Sequence, residues 1–206
     1  MSNLRRPPGF GYRAVISARR FSAFDAGRIA AARKCAEAAH RGAHRKVSGL
    51  PYIVHPRGVA SILAGAGYDA DLVIAGLLHD TVEDGAVEPR DIERQFGAAV
   101  AELVASVTNH SGSGSWRERK RRVFAHLAGA SPGSLALKCA DALDNLRSIR
   151  LDLERHGDVV WRRLHPRPQL HWYFRTLSKL FDERLRENLG PRLAASFRDE
   201  LRAVFP

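Results

Sequence analysis

The sequence predicts an all-α, compact single domain. Apolar residues recur at spacings of three and four from about residue 25 almost to the C-terminus, and no segment shows the apolar/polar alternation of a half-buried strand. No 20–50-residue repeat suggests a solenoid or propeller. A length of 206 residues suits one domain plus a tail.

The elements follow in order. Asp25 is placed to cap a helix running to about Gly42, with Ile29, Cys35 and Ala36 facing inward. The stretch from Arg45 to His55 holds Gly49 and Pro51 and reads as irregular. A helix follows Pro56 with Val59, Ile62 and Leu63 inward, and stops at Gly65/Gly67. Asp69 starts another that carries Leu72, Val73, Leu77 and Leu78 to about Glu83. Glu88-Pro89 opens a long amphipathic helix with Ile92, Phe96, Val100, Leu103 and Val107 on one face. Ser111 to Ser115 reads as a loop, Trp116 to Leu127 as a basic helix. Ser131-Pro132-Gly133 introduces a helix from Ser134 to about His156, and two more fill the C-terminal part, separated by Gly190-Pro191.

Net charge is +11, nearly all of it arginine, which favours an anionic partner: nucleic acid, acidic membrane or a phosphate-rich small molecule. Part of it lies in a leader where Arg5, Arg6, Arg13, Arg19 and Arg20 precede the first acid, Asp25. With Pro7-Pro8-Gly9 and no helical period, residues 1–22 read as a mobile tail and 23–206 as the domain. Arginine and serine without acids also resembles an organelle transit peptide, but the apolar run of a secretory signal is missing. No run approaches the roughly 18 apolar residues that would cross a bilayer. Cys35 and Cys139, a lone pair in helical patterns, fit a reducing, cytoplasmic setting better than a disulfide framework.

The chemistry concentrates in Leu77-Leu78-His79-Asp80-Thr81-Val82-Glu83-Asp84. His79 and Asp80 offer an imidazole nitrogen and a carboxylate oxygen, both ligands for a divalent metal. On a continuing helix Glu83 would share the face of His79, and Asp84 that of Asp80. His55 precedes Pro56, and Asp141 interrupts the apolar run Leu135 to Leu143, where a carboxylate needs a partner. Two histidines and two aspartates can bind one ion and leave positions open for water and substrate. His40 and His44 read as packing beside this set; His110, His126, His156, His165 and His171 as solvated or structural; Trp161 and Trp172 as packing. Arg117, Arg119, Lys120, Arg121 and Arg122 form either a solvated face or a surface that steers phosphate.

The order His55, His79-Asp80, Asp141 resembles the HD-domain metal phosphohydrolases. Longer strings resemble the hydrolase domain of the RelA/SpoT alarmone enzymes: Ala39 to Gly42, Arg45-Lys46, Gly49 to Pro56, Leu77 to Asp84, Phe96-Gly97, Val107-Thr108 and Lys138 to Arg147. Glu118 to Arg121 and Ser131-Pro132-Gly133 are more similar to the stand-alone small alarmone hydrolases. The resemblance spans about residues 25–180.

The resemblance implies an HD-domain fold and removal of the 3′-pyrophosphate of guanosine 3′,5′-bis(diphosphate) and its triphosphate relative with Mn²⁺. His55, His79, Asp80 and Asp141 would ligate the metal, and Glu83 and Asp84 would activate water. Arg45 and Lys46 would lie beside the base, Tyr52 against the nucleotide, Asn145 near the ribose, and Tyr173 as a pocket aromatic. Three departures stand out: Val47 is an extra residue after the basic pair, Asp144 replaces a common histidine, and Trp116-Arg117 replace an expected lysine. His/Asp ligation alone would also accept Fe²⁺, Co²⁺ or Zn²⁺. Alternative substrates are the adenosine analogue and the 2′-phosphate of NADPH. A nucleic-acid module with a vestigial site is a further alternative, although the ligand set is intact and no stable nucleic-acid partner is expected. No membrane association is expected, and no second, synthetic domain fits the length.

Overall fold

A computed structural model describes residues 21–83, 85–108 and 113–206. Among them the chain is all helical, apart from an isolated antiparallel bridge between His44 and Pro51. The helices are α1 (Ala23–Ala39), α2 (Val54–Ala66), α3 (Ala70–Leu78), α4 (Pro89–Phe96), α5 (Ala98–Val107), α6 (Trp116–Ala128), α7 (Pro132–His156), α8 (Arg167–Arg184) and α9 (Gly190–Val204). A 3₁₀ turn, Gly157–Arg162, links α7 to α8.

Helix starts follow side-chain chemistry. Ser22, not Asp25, caps α1: its Oγ accepts the Asp25 amide at 3.0 Å while its hydroxyl donates to the Asp25 carboxylate at 2.7 Å. Phe21 already packs against the core. The chain residues 1–20 lie outside the described residues, and with them most of the expected tail. Ser115 and Glu118 form a capping box at α6, and Ser131 caps α7 with Pro132 in the first turn.

Three helix boundaries differ from those read in the sequence. The second helix begins before Pro56, at Val54, so His55 sits inside the first turn of α2. The long amphipathic helix is two, because Gly97 adopts φ 95° and ψ 162° and separates α4 from α5. Ile92, Phe96 and Val100 still face the core, with Val104 rather than Leu103 or Val107 completing the buried stripe. The third difference matters most: α3 stops at Leu78. Thr81 donates both its amide and its hydroxyl to the Leu78 carbonyl, at 3.0 and 2.7 Å, and these bonds turn the chain where periodicity alone would continue the helix. Glu83 therefore does not share a helix face with His79.

The core is built around α3 and α7. Nearly every residue of α3 is buried, as expected of a helix apolar on all sides, and α7 is buried without interruption from Ser134 to Asp144. Helix α2 approaches α3 closely at Gly76, where a Cβ would fall 2.9 Å from Leu63 Cδ1 and 3.3 Å from the Ala60 Cα. Phe181 of α8 and Phe197 of α9 meet edge to face at 5.2 Å and close the C-terminal side. Each such fully buried side chain contributes roughly 1.5–3 kcal/mol. No helix among the described residues is long and apolar enough to cross a membrane.

Candidate metal centre

Three segments deliver the chemistry to one point: the first turn of α2 carries His55, the end of α3 carries His79-Asp80, and the middle of α7 carries Asp141. His55 Nε2 lies 3.3 Å from Asp141 Oδ1 and 3.6 Å from Asp80 Oδ2. His79 Nε2 lies 3.2 Å from Asp80 Oδ1 and 3.8 Å from Asp141 Oδ1. The ligand atoms of His55, His79 and Asp141 all fall within 4.8 Å of one another. Ligands bound to one ion at about 2.0–2.2 Å stand about 3–4 Å apart, so His55, His79 and Asp141 fit a single divalent ion, while Asp80 borders them, approaching the two imidazoles through different carboxylate oxygens.

Both imidazoles are oriented for ligation from behind. His55 Nδ1 donates to Asp144 Oδ2 at 2.7 Å, and His79 Nδ1 donates to the Gly76 carbonyl at 2.9 Å. Each bond fixes the tautomer whose Nε2 lone pair faces the cluster. His79 Nε2 is fully buried and makes no hydrogen bond among the described residues; its approach to Asp80 lacks hydrogen-bond geometry. A buried nitrogen in that state calls for a ligand. Asp144 thus supports His55, and the space for it comes from Gly58, where a Cβ would overlap the Asp144 carboxylate.

The carboxylates are held as anions. Burial works against the Asp141 anion, but the Lys138 ammonium and the His55 contact outweigh it and keep the carboxyl well below the usual range. Asp80 is likewise lowered against its burial, by His79 and His55. Lys138 Nζ donates to Asp141 Oδ2 at 2.8 Å, and burial of this lysine is overcome by Asp141, which raises its pKa. Tyr52 donates to Asp80 Oδ2 at 2.7 Å. Burial and then Asp80 push the Tyr52 phenol upward, so it stays a donor. For His55, burial disfavours the cation, yet Asp141 and Asp144 prevail and push its pKa up to about 9 in the metal-free protein.

The expected nucleotide-side residues divide into two groups. Asn145 Nδ2 donates to Asp141 Oδ1 at 2.8 Å while its Oδ1 accepts from Arg45 Nη2 at 3.0 Å. Arginine can only donate and a carboxylate only accept, so the amide orientation is determined. Arg45 also lies over the Tyr52 ring, 5.7 Å from its centroid. Arg45, Lys46, Tyr52 and Asn145 line a cavity of about 490 Å³ that adjoins the cluster, with Val47 and His165 on its wall. Tyr173 is elsewhere: it is buried against Phe124 (5.7 Å) and beneath Lys120 (Nζ 4.8 Å from the ring), and does not line this cavity. Glu83 is exposed in the turn after α3, near enough to Lys120 and Tyr173 to affect their charge. Asp84 and His110 lie outside the described residues.

The sequence reading gave Lys138 no role, and Lys120 only a place in the basic face of α6 that is either solvated or steers phosphate. Lys138 was legible as a lysine three residues before Asp141 in an otherwise apolar helix, a place where a cation needs an acid. Lys120 carries a lowered pKa, from burial and then from the charge of Lys138. His40 packs on Tyr52 at 4.9 Å, as read. Trp116 takes its place in an aromatic group with Trp172 (6.1 Å) and His165 (5.0 Å).

Residues 32–168 match the HD domain family. The chain is an HD-domain protein. The match takes in every member of the metal cluster, and an HD domain implies a bound divalent metal ion. The mouse guanosine-3′,5′-bis(diphosphate) 3′-pyrophosphohydrolase MESH1 is 40% identical over 136 residues, 65% of this chain and 73% of that protein. A Streptomyces coelicolor GTP pyrophosphokinase is 43% identical over 126 residues, 59% of this chain, and the match spans only 15% of that enzyme's length. Among solved structures, a metazoan ortholog of SpoT that hydrolyses ppGpp aligns with a TM-score of 0.65 at 30% identity, covering 86% of this chain and 97% of that one. A Listeria monocytogenes protein, lmo0812, aligns with a TM-score of 0.64 at 34% identity, covering 73% and 98%.

Proposed function

We propose that this HD domain is a phosphohydrolase that removes the 3′-pyrophosphate of guanosine 3′,5′-bis(diphosphate) and of its triphosphate relative, giving GDP or GTP and pyrophosphate. The observation that carries the reading is the His55, His79, Asp80, Asp141 cluster with its buried, unbonded His79 Nε2, placed beside a cavity walled by Arg45 and Lys46. The names borne by the MESH1 relatives support the substrate. Mn²⁺ is the proposed ion, held by those four residues. The two free cysteines suit a reducing, cytoplasmic setting.

The bound ion would lower the pKa of water and offset charge on the phosphate. The protein's own residues do the rest. Asp144 and the Gly76 carbonyl hold the two imidazoles in the ligating tautomer. Tyr52 and Lys138 each occupy one oxygen of Asp80 and Asp141, limiting how those carboxylates rotate. Glu83, with Asp84, would accept the proton of the attacking water. Water oxygen would then bond to the phosphorus attached to O3′ as the O3′–P bond breaks, and O3′ would take up one proton, balancing the one that the carboxylates accepted from water and pass on to solvent. Arg45, Lys46 and Asn145 would hold the nucleotide, and Lys120, whose charge is felt with that of Lys138 and Asp141, would add positive charge on the phosphate side.

The test is incubation of purified protein with Mn²⁺ and a nucleotide panel that includes the adenosine analogue and NADPH, with products resolved by anion exchange. Release of pyrophosphate with GDP from the guanosine compound is expected. Turnover of the other nucleotides alone would reassign the substrate.

A further inference from the structure

Asp152 lies on α7 about three turns beyond Asp141. Its residue is only 5% exposed, yet among the described residues no group donates a hydrogen bond to its carboxylate and no cation pairs with it. Burial pushes its pKa up in spite of His156, Arg45 and Arg155. No ion pair within 4.0 Å holds it as a helix staple among the described residues, and because it lines cavity space its carboxylate is open to water; a ligand that displaces that water leaves an acceptor in need of a donor.

The side chain faces open space on two sides. Arg45, Ser148 and Asp152 line both the cavity of about 490 Å³ beside the metal cluster and a second of about 310 Å³. The two cavities share these three residues as walls, so Asp152 borders both lobes of the cleft they form. The second lobe adds apolar walls from Leu50, Val54 and Leu151, and Leu50 is 44% exposed. Arg45, on the same walls, has its planar guanidinium bonded to Asn145 and set over the Tyr52 ring. A flat group with apolar faces and adjacent N–H donors on one edge satisfies every wall. A bare metal cation does not, since Arg45, Arg57 and Arg155 border the same lobe.

We infer that Asp152 is a specificity-determining residue that accepts hydrogen bonds from the ring N–H and exocyclic amine of a guanine base held in this cleft. The inference rests on the proposed reading of the ligand as a nucleotide. Guanine presents two neighbouring donors to a carboxylate. Hypoxanthine lacks the amine, and adenine places an acceptor nitrogen beside its own. Such a paired contact is worth about 10- to 100-fold in discrimination.

The test needs no turnover: equilibrium binding of GDP, IDP and ADP to the Mn²⁺-loaded full chain, for wild type, Asp152→Asn and Asp152→Leu. Circular dichroism and metal content check that each variant is folded. Wild type is expected to favour GDP about tenfold or more over IDP and over ADP, and both variants to bring the three within about threefold. Wild type binding the three equally, or not at all, overturns the inference, as do variants that keep the GDP preference. A preference that depends on Asp152 without release of 3′-pyrophosphate would leave this inference standing and remove the proposed reaction. Release without that preference would do the reverse.

Discussion

The carboxylate of Asp144 receives the Nδ1 proton of His55 at 2.7 Å, and both residues are buried. This bond runs from α7 to the first turn of α2 and turns the opposite nitrogen of His55 toward Asp80 and Asp141. Asp144→Ala is therefore expected to weaken Mn²⁺ binding by about 10- to 100-fold, with Asp144→Asn, which retains an acceptor, losing less. Calorimetric titration with Mn²⁺ measures both; an alanine variant with wild-type affinity would remove Asp144 from the site.

Gly58 supplies the room that Asp144 occupies. Alanine in a helix interior ordinarily stabilises by about 0.5–1 kcal/mol relative to glycine. Here the added methyl meets the Asp144 carboxylate, so Gly58→Ala is expected to destabilise the protein and weaken metal binding together. Combined with Asp144→Ala the collision disappears, and the double variant should lose less stability than the two single losses added. Urea denaturation of the four proteins checks this, and simple additivity would contradict it.

Much of the fold was legible because it rests on periodicity: Ile29, Leu63, Leu77 and Ile92 each fall on the face the spacing assigned and are buried. Asp141 stood out as a carboxylate inside an apolar helix and His79-Asp80 as polar groups at the end of one, where partners are needed, while His55 was read just ahead of a helix start. The misreadings arose where one local bond overrides periodicity, as with the double donation from Thr81 to Leu78 and the φ of 95° at Gly97. Asp152 and Lys138 gave weaker signals, because a single charge on a long helix reads as solvated until tertiary packing encloses it.

The pKa of His55 gives the metal-free protein a pH dependence of definite sign. The folded value of about 9 exceeds the ordinary 6.5, so this stabilisation is full below 6.5 and is lost as pH rises through 9, on the order of 3 kcal/mol. Asp80 and Asp141 are lowered, so their share is present above 3.8 and lost on acidification. Metal binding must displace the His55 proton, so Mn²⁺ affinity should rise toward pH 9 as metal-free stability falls. Denaturation curves with chelator and Mn²⁺ titrations across pH 6–9 would show these opposite trends; parallel trends would contradict the linkage.

Glu83 is exposed in the turn that follows His79-Asp80 and stands outside the ligand set. Glu83→Gln is expected to keep metal and nucleotide while turnover falls about 10²–10⁴-fold, the usual loss with a general base. Metal content, nucleotide affinity and rate are to be taken on one preparation. Full activity would leave Asp84 alone in that role, and joint loss of metal and activity would make Glu83 a ligand or a support.

The most direct measurement is metal stoichiometry and product release on the same samples of wild type and Asp141→Ala. About one divalent ion per chain is expected in wild type, with GDP and pyrophosphate formed from guanosine 3′,5′-bis(diphosphate), and both lost in the variant. Unchanged metal content in Asp141→Ala, or cleavage by wild type at any bond other than O3′–P, would contradict the account.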